Sequence, residues 1–159
     1  MSPRACLLVI GVLCASALAL PAQTVTLTTT GASTQMANPT LADYAAGSMV
    51  QATPIGYTLR LNSGRAGCTY TVLVGVRAST SILGGSKPVS DLQWATTGGY
   101  TAMTTTNATV ATHTLRTTST TASGNITLKI LLNWTDTATS YAGTGLRFQV
   151  SGTASGSGC

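Results

Sequence analysis

An all-β fold is what this 159-residue sequence predicts, and three observations predict it. Apolar residues recur at every second position in several segments, the period of a strand with one buried face. Clusters of Gly, Pro, Ser and Thr separate those segments as turns do. Threonine, β-branched and suited to a pleated surface, is about one residue in five, and no stretch sustains a helical period.

The chain begins with Arg4, an apolar run Ala5–Leu20 and the small residues Ala17, Ala19 and Ala22, the order of a secretory signal peptide. Cleavage fits after Ala19 or after Ala22, the second leaving Gln23 first. The run is shorter than the roughly 20 residues that span a bilayer, and Leu13 is bulky where lipid attachment at Cys14 would need a small residue. The expected organisation is a signal peptide over 1–22, one β domain over 23–154 and a Gly/Ser tail over 155–159. A mature chain of this kind is expected to be secreted, periplasmic or at the cell surface, with no membrane span.

Thr24–Thr30 alternates Val25 and Leu27 with threonine, a thin strand expected at a sheet edge. The segment to Met49 reads as a loop with room for a short strand or helical turn. Ile55, Tyr57, Leu59 and Leu61 then share one face, and Cys68, Tyr70, Val72, Val74 and Val76 another, with NSGRAG between them, so these two segments are expected to form a hairpin. SILGGSKPVS reads as a loop and DLQWA as a short strand. Thr101–Thr106 and Val110–Arg116 read as weak strands divided near Asn107, and TTSTTASG as a turn. In GNITLKILLNW the residues Ile126, Leu128, Ile130, Leu132 and Trp134 alternate with polar ones, and Leu146, Phe148 and Val150 repeat the pattern after a polar break, so the two are expected to be neighbours. Seven or eight such strands fit an immunoglobulin-like antiparallel β-sandwich, with a small β-barrel as the alternative. The absence of a recurring period argues against a solenoid and against a regular threonine ladder of the ice-binding kind.

After signal removal, Arg60, Arg65, Arg77, Lys87, Arg116, Lys129 and Arg147 stand against Asp43, Asp91 and Asp136. The cations are dispersed, which argues against a nucleic-acid partner. Cys68 and Cys159 remain, an even pair that in an exported chain suggests a disulfide, either within the chain or to another subunit.

Catalytic material is thin. His113 has no carboxylate near it in sequence and reads as a surface or edge residue. The aspartates could meet in space as an acid and base, but Asp91 and Asp136 sit where side-chain capping of the backbone is the simpler role. The sequence carries no nucleophile elbow, phosphate loop or zinc spacing, and the expectation is a non-enzyme with no cofactor or metal. Asn107-Ala-Thr, Asn125-Ile-Thr and Asn133-Trp-Thr fit the glycosylation acceptor pattern.

Candidate interaction residues are the aromatics Trp94, Tyr100, Trp134 and Tyr141, which could form a platform for sugar rings. The competing expectation is that Trp94 and Trp134 enter the core, as parity with Leu92 and Leu132 implies. Leu73 and Leu131 each break the polar parity of their strand; on neighbouring strands they would form an outward apolar spot.

The ending Asp136-Thr-Ala-Thr-Ser-Tyr141-Ala-Gly143-Thr-Gly-Leu146-Arg-Phe148-Gln-Val150 resembles the last-strand signature of bacterial exported immunoglobulin-like domains of pilus, spore-coat-type and cell-surface proteins, with Ala138-Thr139 where Pro-Gly is usual. The resemblance covers the last sixth of the chain and implies an exported structural or adhesive role without supplying binding residues. Two readings follow: a domain that assembles with identical or related subunits, or a carbohydrate-binding module for extracellular glycans.

Overall fold

The structure, a computed structural model, describes residues 23–30, 36–84, 87–136, 146–155 and 159. The fold is all-β and antiparallel. In chain order it contains β1 (Thr24–Thr30), α1 (Leu41–Ala46), β2 (Ser48–Val50), β3 (Ile55–Asn62), β4 (Thr69–Ala78), β5 (Ile82–Gly84), β6 (Lys87–Pro88), a single 3-10 turn (Val89–Asp91), β7 (Leu92–Ala95), β8 (Thr101–Ala102), β9 (Ala108–Leu115), β10 (Thr121–Leu131) and β11 (Leu146–Ser155).

The larger sheet runs β1-β3-β10-β7-β8, with β2 also paired to β10, and the smaller runs β11-β4-β9. Neither closes into a barrel. Inward residues of both sheets meet in one hydrophobic cluster, in which Leu59, Val74, Val76, Leu115, Ile126, Leu128 and Ile130 are wholly buried. The alternation in sequence thus identifies the buried faces of β3, β4 and the body of β10.

Alternation does not identify partners. The expected hairpin of β3 and β4 does not form: β3 is flanked by β1 and β10, while β4 pairs with β9 and β11. The six-residue connection, with Ser63 and Gly67 at positive φ, carries the chain from one sheet to the other. The second expected pair also separates, β10 lying in the larger sheet and β11 along β4 over Leu146–Ser155. Both edges of β10 are already taken, by β3 and β2 on one side and β7 on the other.

β2 and β3 line the same edge of β10 with a break between them. Ile126 faces Ile55 and Lys129 faces Val50, so two residues of β10 stand opposite the four residues 51–54. Pro54 has no N–H for the ladder, and Gln51 restores one rung by donating its N–H to Leu128 O at 2.9 Å.

Other local corrections have plain causes. The short turn of helix that the sequence left open is α1, closed by a reciprocal box in which Asp43 N–H donates to Thr40 Oγ1 at 3.3 Å and Thr40 N–H to Asp43 Oδ2 at 2.8 Å. The Thr40 hydroxyl also donates to Asp43 Oδ2 at 2.6 Å, and this bond together with the one from Thr40 N–H holds the Asp43 carboxyl below its usual range. Gly47, at φ 69°, ends the helix. The loop expected at SILGGSKPVS contains the β5–β6 ladder, and the strand expected over Thr101–Thr106 stops at Ala102, beyond which Met103 is buried and its N–H bonds Leu92 O.

Cys68, 2 % exposed, is bonded to Cys159 with Cα atoms 6.0 Å apart and a sequence separation of 91. By loop-closure entropy, constraining so long a loop stabilises the fold by about 4–5 kcal/mol. The bond also ties the chain end to the start of β4. The signal-like segment 1–22 lies outside the described residues, as do the side chains of β11, Phe148 among them.

Candidate functional site

Lys87 organises one end of the molecule. β6 and the 3-10 turn carry it inward until only 5 % is exposed. A buried ammonium requires partners, and it has two: Asp91 Oδ2 at 3.0 Å and Asp136 Oδ2 at 2.6 Å. Asp136 also caps its own turn, accepting from Asn133 N–H at 2.8 Å, while Asp136 N–H donates to Asn133 O at 2.9 Å. Capping is therefore right for Asp136, but Asp91 spends its carboxylate on Lys87. The two acids do meet in space, around a cation. Burial alone would raise the Asp136 pKa, yet the Lys87 hydrogen bond, the Asn133 N–H and the lysine charge outweigh it and hold the acid low.

The turn latched by Lys87 displays Trp134. Its parity with Leu132 predicts burial, and the structure overturns this: β10 ends at Leu131, the backbone turns at Trp134–Thr135, and the indole is 69 % exposed. Parity holds only while the strand lasts. One face of the indole stacks on Tyr44 of α1, with centroids 5.5 Å apart and planes at 23°. Tyr44 is buried and donates its hydroxyl to Asp136 O at 3.3 Å. Leu132 N–H donates to Gly47 O at 2.9 Å and fixes the helix end beside the end of β10.

The remaining aromatic candidates disperse. Trp94 is a core residue, 8 % exposed on β7 opposite Leu128, and leaves the interaction surface. Among the described residues its Nε1 has no hydrogen-bond partner, and neither amide atom of buried Gln51 has one. Tyr100 is half-buried with the Lys129 ammonium 4.5 Å from its ring centroid, so one ring face is occupied. Tyr141 lies outside the described residues. Leu73 and Leu131 form no common spot, because β4 and β10 belong to different sheets; Leu73 stands between Ser151 and Thr112, and Leu131 opposite Ser48.

His113 lies on the edge strand β9 and is half-buried, its Nε2 2.9 Å from Tyr57 Oη. Burial raises the Tyr57 pKa. On the outer face of the larger sheet the rows Thr28–Thr58–Ser123 and Thr30–Gly56–Asn125 make a hydroxyl- and amide-lined trough of about 350 Å³. Among the described residues, no three His, Cys, Asp or Glu side chains are grouped to hold a metal, and no helix is long and apolar enough to cross a membrane.

Sequence reasoning missed Lys87 and Tyr44. The one signal for the first was Asp91 four positions further on; Tyr44 stood in a segment without a period. No family model, curated protein or solved structure matches this chain.

Proposed function

We propose that the chain is a secreted or surface-associated, non-enzymatic structural or adhesive domain of immunoglobulin-like sandwich type, and a subunit of an extracellular assembly. The observation that carries this reading is the edge of β1. Its seven residues, TVTLTTT, contain no charge and no proline, and among the described residues all seven pair with β3 on one side only.

Sheet edges that must stay alone are blunted by charge, proline, bulges or brevity. Other sheet edges carry such devices: β8 has two residues, and β9 has a register shift opposite Val74/Gly75. β1 has none. A second β1 laid antiparallel about Leu27 would set Leu27 opposite Leu27 and continue the sheet, the strand-addition mode of assembly. The signal-like start of the chain and the Cys68–Cys159 pair support export.

Light scattering of the mature chain across a concentration series tests this. A mass that rises with concentration supports assembly, and a constant monomer mass at the highest concentration overturns it.

A further inference from the structure

We infer that the open face of Trp134 is a stacking subsite for the apolar face of a neutral pyranose ring in an extracellular polysaccharide. The inference rests on the adhesive reading above and supplies its ligand, but it does not depend on the edge of β1.

The Trp134 indole is preorganised. It is 69 % exposed, a large apolar ring standing in water. It is also held still. Its rear face lies on buried Tyr44, the Tyr44 hydroxyl is bonded to the backbone of Asp136, and the Asp136 carboxylate is fixed both to Asn133 N–H and to buried Lys87. A ligand meeting such a ring orders little that is not already ordered, which is where weak recognition gains most.

The size and surroundings of the ring select its occupant. A single indole offers on the order of 150–250 Å², well short of the roughly 1,000 Å² that a specific protein partner needs. It matches one small rigid ring. Asn133 and Thr135, the exposed sequence neighbours of Trp134, add an amide and a hydroxyl to the same turn, groups that suit the equatorial hydroxyls of a sugar. Charge disfavours acidic sugars: among the described residues the Lys87 ammonium is buried and shared by two carboxylates, one positive charge against two negative ones beneath the turn. One stacked ring binds weakly, and repetition of the domain in an assembly would multiply it on a polymer.

Retention of the mature domain on microcrystalline cellulose, chitin and insoluble xylan tests the subsite, with Trp134→Ala and Trp134→Phe beside the wild type. The wild type is retained on at least one polymer, Trp134→Ala loses about tenfold in retention, and Trp134→Phe, which keeps a ring over Tyr44, loses less. Acrylamide quenching reports occupancy separately, since Trp134 is exposed and Trp94 buried, and the bound polymer protects only the first. Wild type washing freely from all three polymers, or Trp134→Ala held as well as wild type, overturns the inference. If either occurs while the light-scattering mass still rises with concentration, the sugar subsite falls and the assembly reading stands.

Discussion

Lys87 Nζ and Asp136 Oδ2, 49 residues apart in sequence, meet at 2.6 Å and join the β6 turn to the turn that follows β10. The pair is a buried cation and an acid at the margin of solvent, the Lys87 side chain being 4 % and that of Asp136 16 % exposed. Removing one partner of such a pair costs far more than replacing the whole pair by apolar groups. Lys87→Ala, which leaves both carboxylates without their cation, is expected to lower stability by about 3 kcal/mol, and Lys87→Met, which does the same but keeps the stem packed, by somewhat less, both read by urea denaturation near neutral pH.

The same pair sets a pH dependence. Burial would lower the Lys87 pKa, but hydrogen bonds and charge from Asp136 and Asp91 outweigh it and raise the value, while Asp136 is lowered. A depressed acid stabilises the fold above its unfolded pKa and loses that contribution as pH falls through the folded value. A raised base stabilises below its unfolded pKa and loses it as pH rises through the folded value. The contribution is therefore constant through neutrality, begins to fade below about pH 4 and above about pH 10.5, and is gone once pH has passed the folded value of each group. Lys87→Met should flatten both limbs in melting curves taken against pH.

Gly124 faces Tyr57 across β10 and β3, and a Cβ there would lie 2.6 Å from Tyr57 Cζ and 2.9 Å from Cε1. The ring is buried and its hydroxyl is engaged with His113, so it has no free direction in which to retreat. Gly124→Ala is expected to destabilise by about 1–3 kcal/mol through overpacking. In a Tyr57→Phe background, where the crowding hydroxyl is gone, the same substitution should cost less, a difference that a double-mutant cycle measures.

The faces of this fold were legible in the sequence and its connections were not. Val72, Val74, Ile126, Leu128 and Ile130 are buried as their alternation predicts, because a two-residue period is a property of one strand. Pairing depends on which edge is free, and β3 and β10 had theirs filled by strands remote in sequence. Trp134 follows from the same limit: parity extended past the end of a strand says nothing about a turn. Lys87 was illegible because its burial is caused by Asp136, 49 residues away, and a lysine in a Gly/Ser/Pro segment looks solvated.

Gln51 is 8 % exposed with both amide atoms unpartnered, placed where the chain breaks between β2 and β3. A buried amide without partners costs on the order of 1–3 kcal/mol. Gln51→Met, close in shape and without polar hydrogens, should therefore raise the melting temperature by a few degrees in calorimetry.

The edge of β1 is the centre of the account, and Thr28→Lys probes it directly. Thr28 is exposed and faces Thr58 on β3, so a lysine there leaves the core intact and places a charge on an otherwise uncharged edge. Light scattering of the mature wild type and this variant over the same concentration series is the decisive measurement. The account predicts a mass that grows with concentration for wild type and stays monomeric for Thr28→Lys at unchanged melting temperature; a wild type that remains monomeric throughout, or a variant that assembles equally well, would contradict it.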